Sequence, residues 1–290
     1  MSRRRLLVPE VVQTSALDCG PAALKALLEG FGISASYGRL REACQTGVDG
    51  TSIDQIEETA VRLGLQAEQV MMPADHALLR SAAALPALFV VRLPSGITHF
   101  VVAWRRLAGF GQTAWIQLMD PATGRLWSSA RQFESDLYVH TQAVAAEDWR
   151  DWAGSDAFLN PLRERLRQIS VSAAESERLV QAALADPEWQ ALGALDAGIR
   201  MVDALVRGEG VRKGREAARL LASLISRADS AIPERYWSAR PGESGELPMP
   251  GSRYKRWCLD LSCECKTRIL HCRRRHRSPI PRSSPSRRYC

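Results

Sequence analysis

The chain has 290 residues and is 46% hydrophobic, which is enough apolar material for one large or two modest cores and excludes a chain disordered throughout. Its formal net charge is +7, but residues 251–290 hold 12 Lys and Arg against 2 Asp and Glu, leaving 27 against 30 for residues 1–250. The body is therefore mildly acidic, and nucleic acid is not an expected partner.

Met1-Ser2-Arg3-Arg4-Arg5 is basic like the start of a signal peptide, yet Leu6-Leu7-Val8 is cut off by Pro9-Glu10 before an apolar region forms. No stretch reaches the ~20 apolar residues of a membrane helix; the longest, Leu78 to Val91, is broken by Arg80 and Pro86. A cytoplasmic chain that does not span a bilayer is expected. Five of the seven cysteines, Cys258, Cys263, Cys265, Cys272 and Cys290, lie in the basic tail. The body's Cys19 and Cys44 are too few for a disulfide scaffold.

The first 142 residues read as a compact α+β domain of helices packed on an antiparallel sheet. Cys19 to Gly30 predicts a helix rich in Ala and Leu, stopped by Gly30 and Gly32. A second is expected at about Tyr37 to Cys44. A third begins after Ser52, where Gln55 stands three residues on, as a capping box requires. Gln66 to Met72, Ala87 to Leu93, Thr98 to Trp104 and Trp115 to Met119 are β-branched or aromatic runs parted by Pro, Gly or polar residues, and predict strands. Residues 143–230 turn to Ala, Leu, Arg and Glu with helical spacing, as in Ile199-Val202-Leu205-Val206. Residues 231–290 read as a linker and a disordered tail of Arg, Ser, Pro and Cys.

Cys19 stands at the start of a predicted helix, where the uncapped end of the helix favours a thiolate. Pro21 fits the first turn, where a missing N–H costs nothing. A cysteine without such a setting, like Cys44, reads as a small core residue. A thiolate attacking a carbonyl needs a proton shuttle. His99, in Ile97-Thr98-His99-Phe100-Val101-Val102, is a lone polar ring at the head of an apolar strand, a place that core or edge histidines also occupy. His76 follows Pro73-Ala74-Asp75 in a surface turn and His140 ends the domain, so both read as solvated. Asp120 closes the next predicted strand, within reach of His99 across a hairpin, although Asp-Pro also opens ordinary turns. Gln13 can donate its amide N–H to an oxyanion together with the Cys19 N–H. Asp18, Gly20 and Thr98 are assigned to substrate contact, Gly20 because it lets a backbone approach closely.

In this order, Gln13 through Ala22, His99-Phe100-Val101-Val102, and Asp120-Pro121 with Gly124 resemble the motifs of the bacteriocin-processing, double-glycine-leader cysteine peptidases. These are the papain-like domains at the amino end of peptidase-containing ABC exporters. The resemblance covers the first half of the chain and implies a papain-like fold and cleavage of a leader peptide after a Gly-Gly or Gly-Ala pair. It further implies association with an exporter's transmembrane and ATP-binding portions at the inner face of the plasma membrane. Degenerate relatives lack the nucleophile; Cys19 is present. A leader-binding adaptor without turnover is the alternative.

The chain departs from the exporter pattern in two ways. A helical region without membrane character follows the domain, and the sequence holds no Walker-type Gly-rich loop with Lys-Ser/Thr. The change of composition after Gly251 reads as a shifted frame in a GC-rich gene or as a divergent end. On the first reading the original product continues into membrane helices and an ATPase. A zinc site from Cys258, Cys263, Cys265, His271, Cys272 and His276 is set aside, because Cys-x-Cys is tight and no folded core surrounds it. No metal or cofactor is expected.

Overall fold

The structure, a computed structural model, describes residues 4–108, 114–241, 260–264 and 267–274. Three helices come first: α1 (Cys19–Gly30), α2 (Tyr37–Ala43) and α3 (Ile53–Arg62). In α1 the alanines and leucines from Ala22 to Leu28 are fully buried, leaving only Lys25 partly exposed. α3 starts with the expected capping box: Gln55 N–H donates to Ser52 Oγ at 3.2 Å and the Gln55 side chain accepts from the Ser52 N–H, an arrangement worth about 1 kcal/mol.

Then follow β1 (Leu65–Met72), α4 (Ala74–Ala77), β2 (Ala87–Arg92), β3 (Thr98–Ala108), β4 (Ala114–Asp120), β5 (Gly124–Ser129), α5 (Ala130–Asp136) and β6 (Thr141–Ala145). The helices α6 (Ala146–Ala153), α7 (Asp156–Gln168), α8 (Ala173–Ala185), α9 (Trp189–Arg207) and α10 (Arg215–Ile225) come next, before β7 (Arg240–Pro241), β8 (Asp260–Glu264) and β9 (Thr267–Arg274).

The main sheet has the order β1-β9-β2-β3-β4-β5, antiparallel throughout. Its strands β2, β3 and β4 are largely buried on both sides, which is why they read as apolar runs rather than alternating ones. Leu88, Val102 and Met119 meet α1 on one face. Phe89, Val101 and Leu118 form a second core with Phe133 of α5 on the other. α1 presses hard on β3: a Cβ at Gly30 would come within 2.3 Å of the Trp104 ring. The α+β class read from the sequence is the one observed, with helices on an antiparallel sheet followed by further helices.

Two expectations need correction. His76 and its neighbour Asp75 are not in a solvated turn; His76 is 1% exposed. The partners that bury them are 89–125 residues away on α7 and α9, beyond what the local Pro-Ala-Asp-His pattern can signal. Arg165 binds Asp75 and Asp196 at 3.0 Å each. Arg200 grips Asp75 with two nitrogens at 2.9 and 3.0 Å, and Ser238 donates to Asp196 at 2.6 Å. Burial alone would raise the Asp75 pKa, but Arg165, Arg200 and His76 outweigh it and bring it down to about 2.

The second concerns residues 267–274, which fall in the stretch expected to lack structure. As β9 they fill the slot between β1 and β2, with Ile269, Leu270 and Cys272 fully buried. Three buried residues among arginines are too few to register in a composition so basic. Of the six zinc candidates, Cys258, Cys265 and His276 lie outside the described residues, and so does Cys290. His271 and Cys272, as neighbours on a strand, point to opposite faces. Among the described residues no helix is long and apolar enough to cross a membrane.

Candidate active site

The site forms where the start of α1 meets the ends of β3 and β4. Cys19 is the first residue of α1 and a free, partly exposed thiol. The helix has no side-chain cap, so its positive end stays directed at this position. The N-cap residue Asp18 is instead fully buried, accepting from Thr14 Oγ1 at 3.0 Å and pairing with Arg41 Nε at 3.0 Å. This corrects its assignment to substrate contact: its carboxylate anchors the loop before the thiol. At Gly20 a Cβ would stand 2.9 Å from Thr51 Cβ and 3.1 Å from Ile56 Cδ1, so a glycine is needed there for packing. It lets α1 pack on the segment leading into α3, whereas Thr98 is exposed beside His99.

β3 and β4 pair with Val102 opposite Met119, so continuing the register puts Asp120 opposite Val101. His99, two residues from Val101, is then a diagonal neighbour of Asp120 on the same face, a separation that long side chains bridge. His99 is 5% exposed and its Nε2 lies 2.7 Å from Asp120 Oδ1. That leaves Nδ1 free of Asp120, and Cys19 is close enough to the ring to act on its charge. Burial disfavours the imidazolium, but the bonds to Asp120 and Cys19 outweigh it and raise the His99 pKa to about 9.

Asp120 is fixed in turn. Ala122 N–H donates to Oδ1 at 2.8 Å and Thr123 Oγ1 to Oδ2 at 3.2 Å. Burial would raise its pKa, yet the hydrogen bonds from His99, Ala122 and Thr123 hold it below the usual carboxylate range. The same turn positions Gln13, whose N–H donates to Pro121 O at 2.8 Å. Its Oε1 is buried without a hydrogen-bond partner. Cys19, His99 and Asp120 are thus brought together, His99 bonded to Asp120, with Gln13 tied to the turn that follows Asp120.

Sequence reasoning missed the supports, Thr14, Arg41 and Thr123. The Thr14-x-x-x-Asp18 spacing was the only local trace of the first, and Arg41 arrives from α2. His99 and Asp120 also line a cleft of about 680 Å³ whose apolar wall includes Leu93, Leu137 and Val139. Cys44 is wholly buried, and burial pushes its thiol up against the smaller opposing effects of Thr59 and Arg62. His140 is exposed.

Residues 8–141 match the Peptidase C39 family. The chain is 28% identical over 126 residues to the lactococcin-G-processing and transport ATP-binding protein LagD of Lactococcus lactis subsp. lactis, covering 43% of this chain and 17% of that protein. It is 32% identical over 93 residues to the pediocin PA-1 transport/processing ATP-binding protein PedD of Pediococcus acidilactici, covering 32% and 13%. The chain thus spans less than a fifth of the length of either relative. Among solved structures it is similar to a double glycine motif protease from an AMS/PCAT transporter in complex with the leader peptide, with TM-score 0.36, 23% identity and coverage of 47% of this chain and 90% of that one. It is also similar to the peptidase domain of Streptococcus ComA, a bi-functional ABC transporter involved in a quorum sensing pathway, with TM-score 0.38, 24% identity and coverage of 45% and 92%.

Proposed function

From a chain whose residues 8–141 belong to the Peptidase C39 family, we propose a cysteine endopeptidase that cleaves a leader peptide after a Gly-Gly or Gly-Ala pair and works with an ABC exporter. The observation that carries this is the His99 ring, bonded to Asp120 at 2.7 Å and close enough to the Cys19 sulfur at the open end of α1 to act on its charge. The Cys19 thiolate attacks the carbonyl carbon of the scissile bond. The oxyanion takes hydrogen bonds from the Cys19 N–H and the Gln13 side-chain amide. His99, protonated and held by Asp120, gives its proton to the departing amine, and a thioester remains. A water molecule, losing its proton to His99, then hydrolyses the thioester and frees Cys19.

The cleft beside His99 and Asp120 supports a peptide substrate with an apolar side. The names of the two curated relatives couple processing to ATP-dependent transport, which supports an exporter as partner and the inner face of a membrane as the place of work. No cofactor enters the mechanism. The test is mass spectrometry of a double-glycine leader peptide incubated with wild type and with Cys19→Ala. Cleavage by wild type alone is expected. Capture of the leader without cutting by wild type would leave an adaptor instead.

A further inference from the structure

At the end of β3 remote from His99, arginines converge. The chain from residue 4 to 8 runs back along this end and is fastened to it. Arg5 N–H donates to Gly30 O at 3.0 Å, Trp104 Nε1 to Arg5 O at 3.1 Å, and Arg105 to Leu6 O at 3.1 Å. Arg4 donates to Trp104 O and stacks its guanidinium 4.6 Å over the indole. Arg4 and Arg5 are thereby fixed beside Arg105 and Arg106. Together with Arg80 they line a cavity of about 430 Å³, whose other walls are leucines and alanines.

Five guanidiniums line one cavity on a body that is acidic overall. Glu164 is the carboxylate that faces Arg106, but it is already engaged by the Ser81 N–H at 2.8 Å and the Ser81 hydroxyl at 2.6 Å. Arg106 Nε is buried with no hydrogen-bond partner. Arg105 stands close enough to Arg4 to disfavour its charge.

We propose that this cavity is a binding site for a multiply charged phosphate-bearing anion, held by Arg80, Arg105 and Arg106 and closed over by Arg4 and Arg5. Guanidinium forks match phosphate oxygens in pairs, and the leucine walls accept the carbon skeleton attached to such a group. Arg106 and His99 are seven residues apart on one strand, about 23 Å at the usual rise, so the site is separate from the cleavage chemistry. Soluble polyphosphates and anionic phospholipid headgroups offer the same chemistry.

The experiment titrates the full chain with pyrophosphate by calorimetry and, separately, floats it with phosphatidylglycerol-containing or pure phosphatidylcholine vesicles. Wild type is expected to bind pyrophosphate or the anionic vesicles, the arm that responds identifying the source. The Arg80→Gln/Arg106→Gln double variant is expected to lose about tenfold or more in affinity. Removing the same charge on α10, with Arg215→Gln/Arg219→Gln, is expected to leave binding intact. Should the double variant fold poorly, Arg80→Gln alone, at an exposed position, carries the same expectation. The site is refuted if wild type binds neither probe, if the cavity variant binds as wild type does, or if both charge removals weaken binding equally.

Discussion

The sheet half and the helical half of this protein each hold a cluster of ionisable groups, and the two clusters are built on opposite plans. Where α1 meets β3 and β4, the line from Cys19 through His99 to Asp120 ends at a partly exposed sulfur and borders a cleft. Between α4, α7 and α9, the larger cluster of Asp75, His76, Arg165, Asp196 and Arg200 is closed: Asp196 and His76 have next to no contact with solvent. Charged groups there pair with one another, although His76 Nδ1 is buried without a hydrogen-bond partner. The density of ion pairs thus marks where two regions are fastened together, since Asp75 and His76 come from the sheet half and the other three from the helices. A reactive atom left open at one end marks the place of chemistry.

The contrast is broken most forcefully at the sulfur. Cys19→Ala should reduce leader cleavage roughly 10⁴-fold or more and leave the melting temperature unchanged. A large fall in melting temperature would mean that the site also holds the fold together. Asp196→Ala should do the reverse, costing about 3–5 kcal/mol because it strands two arginines, a fall of roughly 10 °C for a chain of this size, with cleavage retained at permissive temperature. Thermal melts of the two variants side by side test the pair.

Asp120→Asn sharpens the comparison through pH. His99, raised to about 9, stays protonated for the leaving amine up to that pH, so wild-type kcat/KM should fall on an alkaline limb near 9. The asparagine variant should lose about 10²-fold or more and move that limb down toward the ordinary histidine value of about 6.5. A limb that stays in place would disprove the role of Asp120.

The same linkage separates the halves in stability. The contribution from His99 is complete below about 6.5 and lost as pH rises through about 9, since its folded-state pKa is raised. That from Asp75 is complete above about 3.9 and lost as pH falls through about 2, since its pKa is lowered. Acid titration followed by circular dichroism should therefore loosen the junction of Asp75 with α7 and α9 as pH falls from about 3.9 toward 2. The smallest effect expected is that of Ser52→Ala, which removes the cap of α3 for about 1 kcal/mol and touches neither cluster.

Much of the sheet half was legible because its cues are local. The Ala and Leu content of Cys19 to Gly30, the Ser52 and Gln55 cap, and the apolar runs around His99 and before Asp120 each report on backbone within a few residues. Even the nearness of His99 and Asp120 follows from two consecutive strands in one hairpin. His76 was misjudged because its partners lie on helices far along the chain. The strand at Thr267–Arg274 was missed because its sheet neighbours, not its own composition, make it a strand. Asp18 looked like a substrate contact from its place beside Cys19, whereas Thr14 and Arg41 hold its carboxylate inside.

By itself, then, the sequence determined the helices, the strands that follow one another, and which residue types could perform nucleophilic chemistry, since these depend on propensity, period and spacing along the chain. Only the tertiary structure decided which groups are enclosed and which are open. Burial and charge pairing are set by segments arriving from distant positions, and the free energy of an ion pair or a thiol depends on that enclosure more than on its neighbours in sequence.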